Sequence, residues 1–199
     1  LERFLKAGDR VLEIGAGEGR FTQVLSGLRT RITAADISTV QLELNRYHAE
    51  QFGFASAVES WHQVDICTMP IFGDAAFDCV VAYGGPFSYV LERRDDALNE
   101  CLRVLKPGGL LLLSVMSMWG TAHMALGGVL ALPPEINRGI TDSGDLTAVT
   151  FPGRKGNFMH MFRAEELRQW LLGAGLEVLA MSASGVLSTG WQEKLGELR

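Results

Sequence analysis

Only three of the 199 residues are cysteine, Cys67, Cys79 and Cys101, and no two of them form a CxxC pair. That excludes the common zinc and dithiol redox motifs. The odd count speaks against a disulfide framework and for a reducing, cytoplasmic setting. Cys79 lies in an apolar run and is expected in the core. Basic runs are missing as well. With a formal net charge of −5 and no basic run to neutralise a phosphate backbone, nucleic acid is a poor partner. The first residues hold no basic-then-apolar leader, so no secretory signal is expected. Repeats and low-complexity linkers are also missing. What remains is a chain with 47% hydrophobic and 21% charged residues, which suits one folded domain over 1–199.

One stretch lacks charge altogether. From Gly109 to Leu132, "GLLLLSVMSMWGTAHMALGGVLAL", no side chain is formally charged at neutral pH. Its length would suit a bilayer. The "KPGG" turn before it, and Gly120, His123, Gly127 and Gly128 within it, divide the stretch into a short buried strand and an apolar segment, so no membrane span is expected.

Strand-like and helix-like segments alternate through most of the chain. "RVLEIG" (10–15), "RITAADI" (31–37), "VESWHQVDI" (58–66), "FDCVVAYG" (77–84) and residues 110–116 read as strands. Residues 20–28, 38–52 and 95–105 read as helices, the second with Ser38 as N-cap and Gln41 three residues on, as in a capping box. Pro107 and its two following glycines stop the third helix. This order implies an α/β fold: a doubly wound, mostly parallel, Rossmann-like sheet flanked by helices. Between about 117 and 156 the pattern fails. That stretch, with its Pro133-Pro134 pair, reads as an insertion after the fifth strand that covers the site. A helix, a stop at 173–175 and a sixth strand are expected next, and 188–199 reads as a short helix.

The glycine loop follows the first strand, where doubly wound sheets bind ligands. Gly15, Gly17 and Gly19 give GxGxG, whereas the dinucleotide fingerprint needs glycine at position 20, which is Arg20. Glu13 places a negative charge beside the loop. That would oppose a pyrophosphate and suit a cationic ligand, which points to S-adenosylmethionine and away from a nicotinamide-dependent oxidoreductase. Asp36, at the end of the second strand, is placed to accept from a ribose diol, a role shared with NAD proteins. Asp65 is expected to end the third strand and to accept from an adenine amino group, with Ile66 or Cys67 on the ring. Helix capping is the alternative role for either acid.

The segments "VLEIGAGEGRFT", "AADIS", "VDI", "FDCVVAYGGPFSYV" and "RVLKPGGLLLLSVMS" resemble, in order and spacing, the motifs of class I S-adenosylmethionine-dependent methyltransferases over about residues 3–117. The segment "FRAEELRQWLLGAGLEVLAMSAS" resembles that family's next helix and strand. The resemblance implies that Glu13 and the backbone of Gly15, Ala16 and Gly17 hold the methionine end of the cofactor. It assigns Asp36 to the ribose and Ile37 to the adenine face, and Asp65 and Ile66 to the adenine amino group and ring. Tyr83 and Gly84 would line the methionine end and the reaction face. It also implies a helix before the first strand, where this sequence has only Leu1 to Gly8. An antiparallel seventh strand is implied too, where "VLSTGWQEKLGELR" is short and reads as helical.

Methyl transfer from a sulfonium needs little from side chains beyond orientation and desolvation. A base is needed only if the acceptor must lose a proton early. His123 and His160 are the candidates, each also readable as a surface or packing histidine. Met116, Met118, Trp119 and Met124 are candidates for an apolar acceptor pocket or for plain core, and Glu92, Arg93 and Arg94 read as solvated. The reading is a methyltransferase for a small-molecule acceptor, returning S-adenosylhomocysteine, with no metal. The rival is a non-catalytic cofactor-binding or partner-binding module whose apolar insertion would serve a homodimer.

Overall fold

The computed structural model describes residues 1–156 and 158–183. The chain divides into two compact units, Leu1–Val115 and Met116–Arg199.

The first unit is built on five parallel strands: β1 (Arg10–Ile14), β2 (Arg31–Asp36), β3 (Val58–Gln63), β4 (Phe77–Ala82) and β5 (Leu105–Leu113). Their spatial order is β3-β2-β1-β4-β5. Strands covered on both faces should read as continuous apolar runs. β1 and β4 do: Val11, Leu12, Cys79, Val80 and Val81 are all buried. The connections run through α1 (Arg20–Gly27), α2 (Thr39–Gln51), the single turn α3 (Pro86–Tyr89) and α4 (Arg94–Val104). Ser38 caps α2 as expected, its Oγ accepting from the Gln41 N–H at 3.3 Å.

Three boundaries differ from the sequence reading. β3 ends at Gln63, so Asp65 and Ile66 lie in the turn beyond it, where Asp65 Oδ1 accepts from the Cys67 N–H at 2.9 Å. A short carboxylate that binds backbone two residues on forms a turn rather than extending a ladder. β4 ends at Ala82, leaving Tyr83 and Gly84 in the loop. β5 starts at Leu105, not at 110, and takes in the "KPGG" turn. Leu105 pairs with Phe77 and Leu110 with Cys79, so the residues between bulge out of the ladder. Gly109 makes that possible, because a Cβ there would lie 2.9 Å from the Lys106 carbonyl and 3.0 Å from that of Asp78.

The second unit holds α5 (Met118–Met124), α6 (Leu126–Ala131), α7 (Pro134–Ser143), a two-residue antiparallel pair β6 (Asp145–Leu146) and β7 (Met159–His160), and α8 (Ala164–Gly173). The stretch without clear period is thus mostly short helix. Its core is Met118, Met159 and Met161, with Met116, Ile140 and Leu146 against them. Trp119 and Met124 are exposed and take no part in it. The sixth strand expected after α8 does not form: residues 176–183 follow the helix without regular structure. The expected helix at 188–199 lies outside the described residues. Among the described residues no helix is long and apolar enough to cross a membrane.

Candidate functional site

The strand order reverses at β1: chain succession leads from β1 to β2 and β3 on one side, then returns to β4 and β5 on the other. The carboxyl ends of β1 and β4 flank that point, the place where open parallel sheets bind ligands. The glycine loop and the Tyr83–Gly84 loop both emerge there. They touch: a Cβ on Gly15 would stand 3.4 Å from Pro86 and 3.8 Å from the Tyr83 carbonyl. Gly15 also holds a φ of +71°, which side-chain-bearing residues rarely adopt.

Asp36 ties this loop to β2. Its Oδ2 accepts from the Gly17 N–H at 2.9 Å and its Oδ1 from the Ser38 N–H at 2.8 Å. A carboxylate has about four acceptor positions, so both oxygens keep capacity for a diol. Beside it Ile37 is 67% exposed, an apolar surface turned largely to solvent. Ala16 donates its N–H to the Ala35 carbonyl at 3.0 Å, which fixes the loop against β2 from a second point. These residues suit an adenosine: a diol acceptor, an apolar shelf and a side-chain-free approach. Arg20, the arginine next to this loop, is exposed and lies near the ring of Phe21, while His48 Nδ1 stands 2.7 Å from the Glu18 carbonyl on the loop.

Glu13 is 2% exposed and takes a hydrogen bond from Thr22 Oγ at 2.7 Å. Burial pushes its pKa up to about 8, with the Thr22 hydrogen bond opposing and the negative charge of Asp36 adding to the rise. A cation bound beside it would restore the ionised form. Tyr83 meets Phe21 edge-on at 5.1 Å, and the Gly84 N–H donates to Ser114 Oγ at 3.0 Å.

The third acid stands differently. Asp65 Oδ2 is paired with Arg93 Nη1 at 2.8 Å. Burial alone would raise its pKa, but the Cys67 amide and the Arg93 guanidinium outweigh it and hold the carboxyl below its ordinary range. Arg93 is thus not simply solvated, and Ile66 is buried rather than open to a ring. The two histidines belong to the second unit. His123 is exposed on α5. His160 is 2% exposed, with Nδ1 2.7 Å from Asp145 Oδ1 and Nε2 2.6 Å from Glu166 Oε1. An imidazole engaged at both nitrogens has none left for an acceptor proton.

The sequence does not single out Asn45 or Thr22, and it makes Arg93 read as solvated. Asn45 did leave a signal, because it shares the buried face of α2 with Leu42 and Ala49. A polar residue on a core face implies a hydrogen-bond partner.

This arrangement is a Rossmann-like sheet with a glycine loop after the first strand and an acid at the end of the second. Comparison with known proteins names the class. Residues 12–113 match the family described as "Methyltransferase domain", about half of the chain, and the chain belongs to that family. S-adenosylmethionine is the cofactor that membership implies. The chain is 38% identical over 125 residues to the ubiquinone/menaquinone biosynthesis C-methyltransferase UbiE of Pseudomonas fluorescens, covering 61% of this chain and 47% of that one. It spans about half the length of the curated relatives it matches. Among solved structures, a SAM-dependent methyltransferase of Methanosarcina mazei superposes with a TM-score of 0.67 at 24% identity, over 86% of this chain and 81% of that one. The [4+2]-cyclase SpnF is 33% identical with a TM-score of 0.51, over 55% and 40% of the two chains.

Proposed function

We propose that this protein transfers a methyl group from S-adenosylmethionine to a small molecule. The supporting observation is the pairing of Asp36 with the Gly17 N–H beside an exposed Ile37, at the point where strand order reverses. On this reading Asp36 holds the ribose and Ile37 the adenine face, while Gly15, Ala16, Gly17 and Glu13 hold the methionine end, with Tyr83 and Gly84 beside it. Asp65 receives the adenine amino group through the lone pairs that Arg93 and Cys67 leave it, and Ile66 supports the turn from below. The cofactor supplies an activated methyl on a sulfonium, which leaves by in-line displacement. The protein's own part is to bind, orient and exclude water.

Acceptor binding falls, by chain order, to residues 117–156, which follow β5 directly. The Pseudomonas fluorescens relative is named a C-methyltransferase, so a carbon acceptor is the first to try. His123 is the remaining candidate base if the acceptor carries an acidic proton. Cytoplasmic placement is supported by Cys67, Cys79 and Cys101 all being free. A pairing of two copies through the apolar segment after β5 would be read from the mass in solution.

The test is transfer of labelled methyl from S-adenosylmethionine into pools of small molecules, followed by identification of the labelled product. Transfer that disappears in Asp36→Ala supports the reading; cofactor binding without transfer to any pool favours a binding module. SpnF gives that second outcome weight, since a chain at 33% identity is named for a cyclisation.

A further inference from the structure

Beneath the glycine loop runs a chain of polar side chains from four elements, three of them buried and Trp61 partly so. Trp61 Nε1 on β3 donates to Asn45 Oδ1 on α2 at 3.0 Å. Asn45 Nδ2 donates to Thr22 Oγ on α1 at 2.9 Å and to the Gly17 carbonyl at 3.3 Å. Thr22 Oγ in turn donates to Glu13 Oε2 on β1 at 2.7 Å. Asn45 is 0% exposed, as is Thr22.

The polarity of this chain is fixed from one end. An indole N–H can only donate. Trp61 therefore decides which end of the Asn45 amide is oxygen, and the NH2 must face Gly17 and Thr22. Thr22 Oγ, accepting from Asn45, is left with its own proton for Glu13. Gly17 is consequently held from both sides: its N–H by Asp36 and its carbonyl by Asn45. Gly19 is fitted to the same side chain, since a Cβ there would lie 3.2 Å from Asn45 Cγ. Leaving such buried groups unpaired is costly, so the loop has little freedom to choose another conformation.

We infer that Asn45, oriented by Trp61, is a positioning residue that sets the Gly17 peptide for the methionine end of the methyl donor. This deepens the methyltransferase reading and rests on it. Asn45 touches no ligand on this account; it acts through Gly17 and through Thr22 on Glu13. Ribose binding depends on it less, because Asp36 keeps its second hydrogen bond, from Ser38.

The experiment compares S-adenosylhomocysteine with adenosine by titration calorimetry, using wild type, Asn45→Leu and Trp61→Phe, with amide hydrogen exchange on the unliganded proteins. Asn45→Leu should bind S-adenosylhomocysteine about tenfold more weakly and adenosine less than about twofold more weakly, as expected where the loop under the methionine end loses the hydrogen bonds that Asn45 makes with Trp61, Thr22 and Gly17. Trp61→Phe keeps an aromatic ring and removes the donor; it should give about a threefold loss with the same preference. Exchange at 15–19 should quicken in both variants, while Val80 and Val81 stay protected. A general loss of stability would instead weaken both ligands alike. Should Asn45→Leu fail to fold, Trp61→Phe decides. Wild-type affinity in the variants, or equal loss for both ligands, overturns the inference. Wild type that folds but binds neither ligand overturns the functional reading and the donor role with it; unchanged exchange at 15–19 would then refute the clamp itself.

Discussion

The two units of this chain bury themselves by different means. In the first, a parallel sheet lies at the centre, and Val11, Leu12, Ile32, Val80 and Val81 are each fully enclosed. In the second, short helices gather around three methionines, and a buried histidine between two carboxylates ties α8 to the β6–β7 pair. Leu130 on α6 stays 76% exposed. The contrast shows where a sequence declares its structure. A strand covered on both faces must be apolar throughout, and that leaves an unmistakable run. A six-residue helix with two glycines in "LGGVLA" has neither length nor propensity to announce itself.

Substitutions should separate the two means of burial. Leu12→Ala removes a fully buried side chain from the central strand and should cost about 3 kcal/mol in global unfolding, read by denaturant titration. His160→Leu leaves Asp145 and Glu166 without their shared partner; a loss of about 2 kcal/mol is expected. It should appear as faster amide exchange in α8 with β1 unchanged. Coupled loss in both would merge the units into one cooperative block.

Glu13 gives the first unit a pH signature. Its carboxyl titrates near 4.5 when unfolded and near 8 when buried, so the native state holds the extra proton between those values. Stability from this group is complete below about pH 4.5 and is lost as pH rises toward 8, at about 1.4 kcal/mol per pH unit at most. Glu13→Gln should remove that slope, so wild type should weaken relative to the variant from pH 5 to 8 in thermal melts. A parallel pair of curves would mean that the carboxyl is already ionised. The smallest effect should come from Leu130→Ala, within about 0.5 kcal/mol of wild type.

The site was legible to the same degree as its elements. Asp36 and the glycine loop follow from the ends of two apolar runs, and the structure brings them into hydrogen-bond contact. Asp65 stood at the end of an alternating segment, where pattern alone cannot place the strand's last residue; its own Asx turn ends the ladder two residues early. Arg93 looks solvated in the sequence because its partner lies 28 positions away. His160 could not be distinguished from a surface histidine without knowing that residues 145 and 166 converge on it. Pairings between distant side chains are what a single sequence does not print.

The proposed seat of the methyl donor lies at the carboxyl ends of β1 and β2. Titration calorimetry of S-adenosylhomocysteine against wild type and Asp36→Asn tests it directly. Wild type should bind at one site per chain, and Asp36→Asn should bind at least about tenfold more weakly, because its amide can offer only one oxygen to the Gly17 and Ser38 amides and the ribose. No binding by the folded wild-type protein, or equal affinity in the variant, would contradict it.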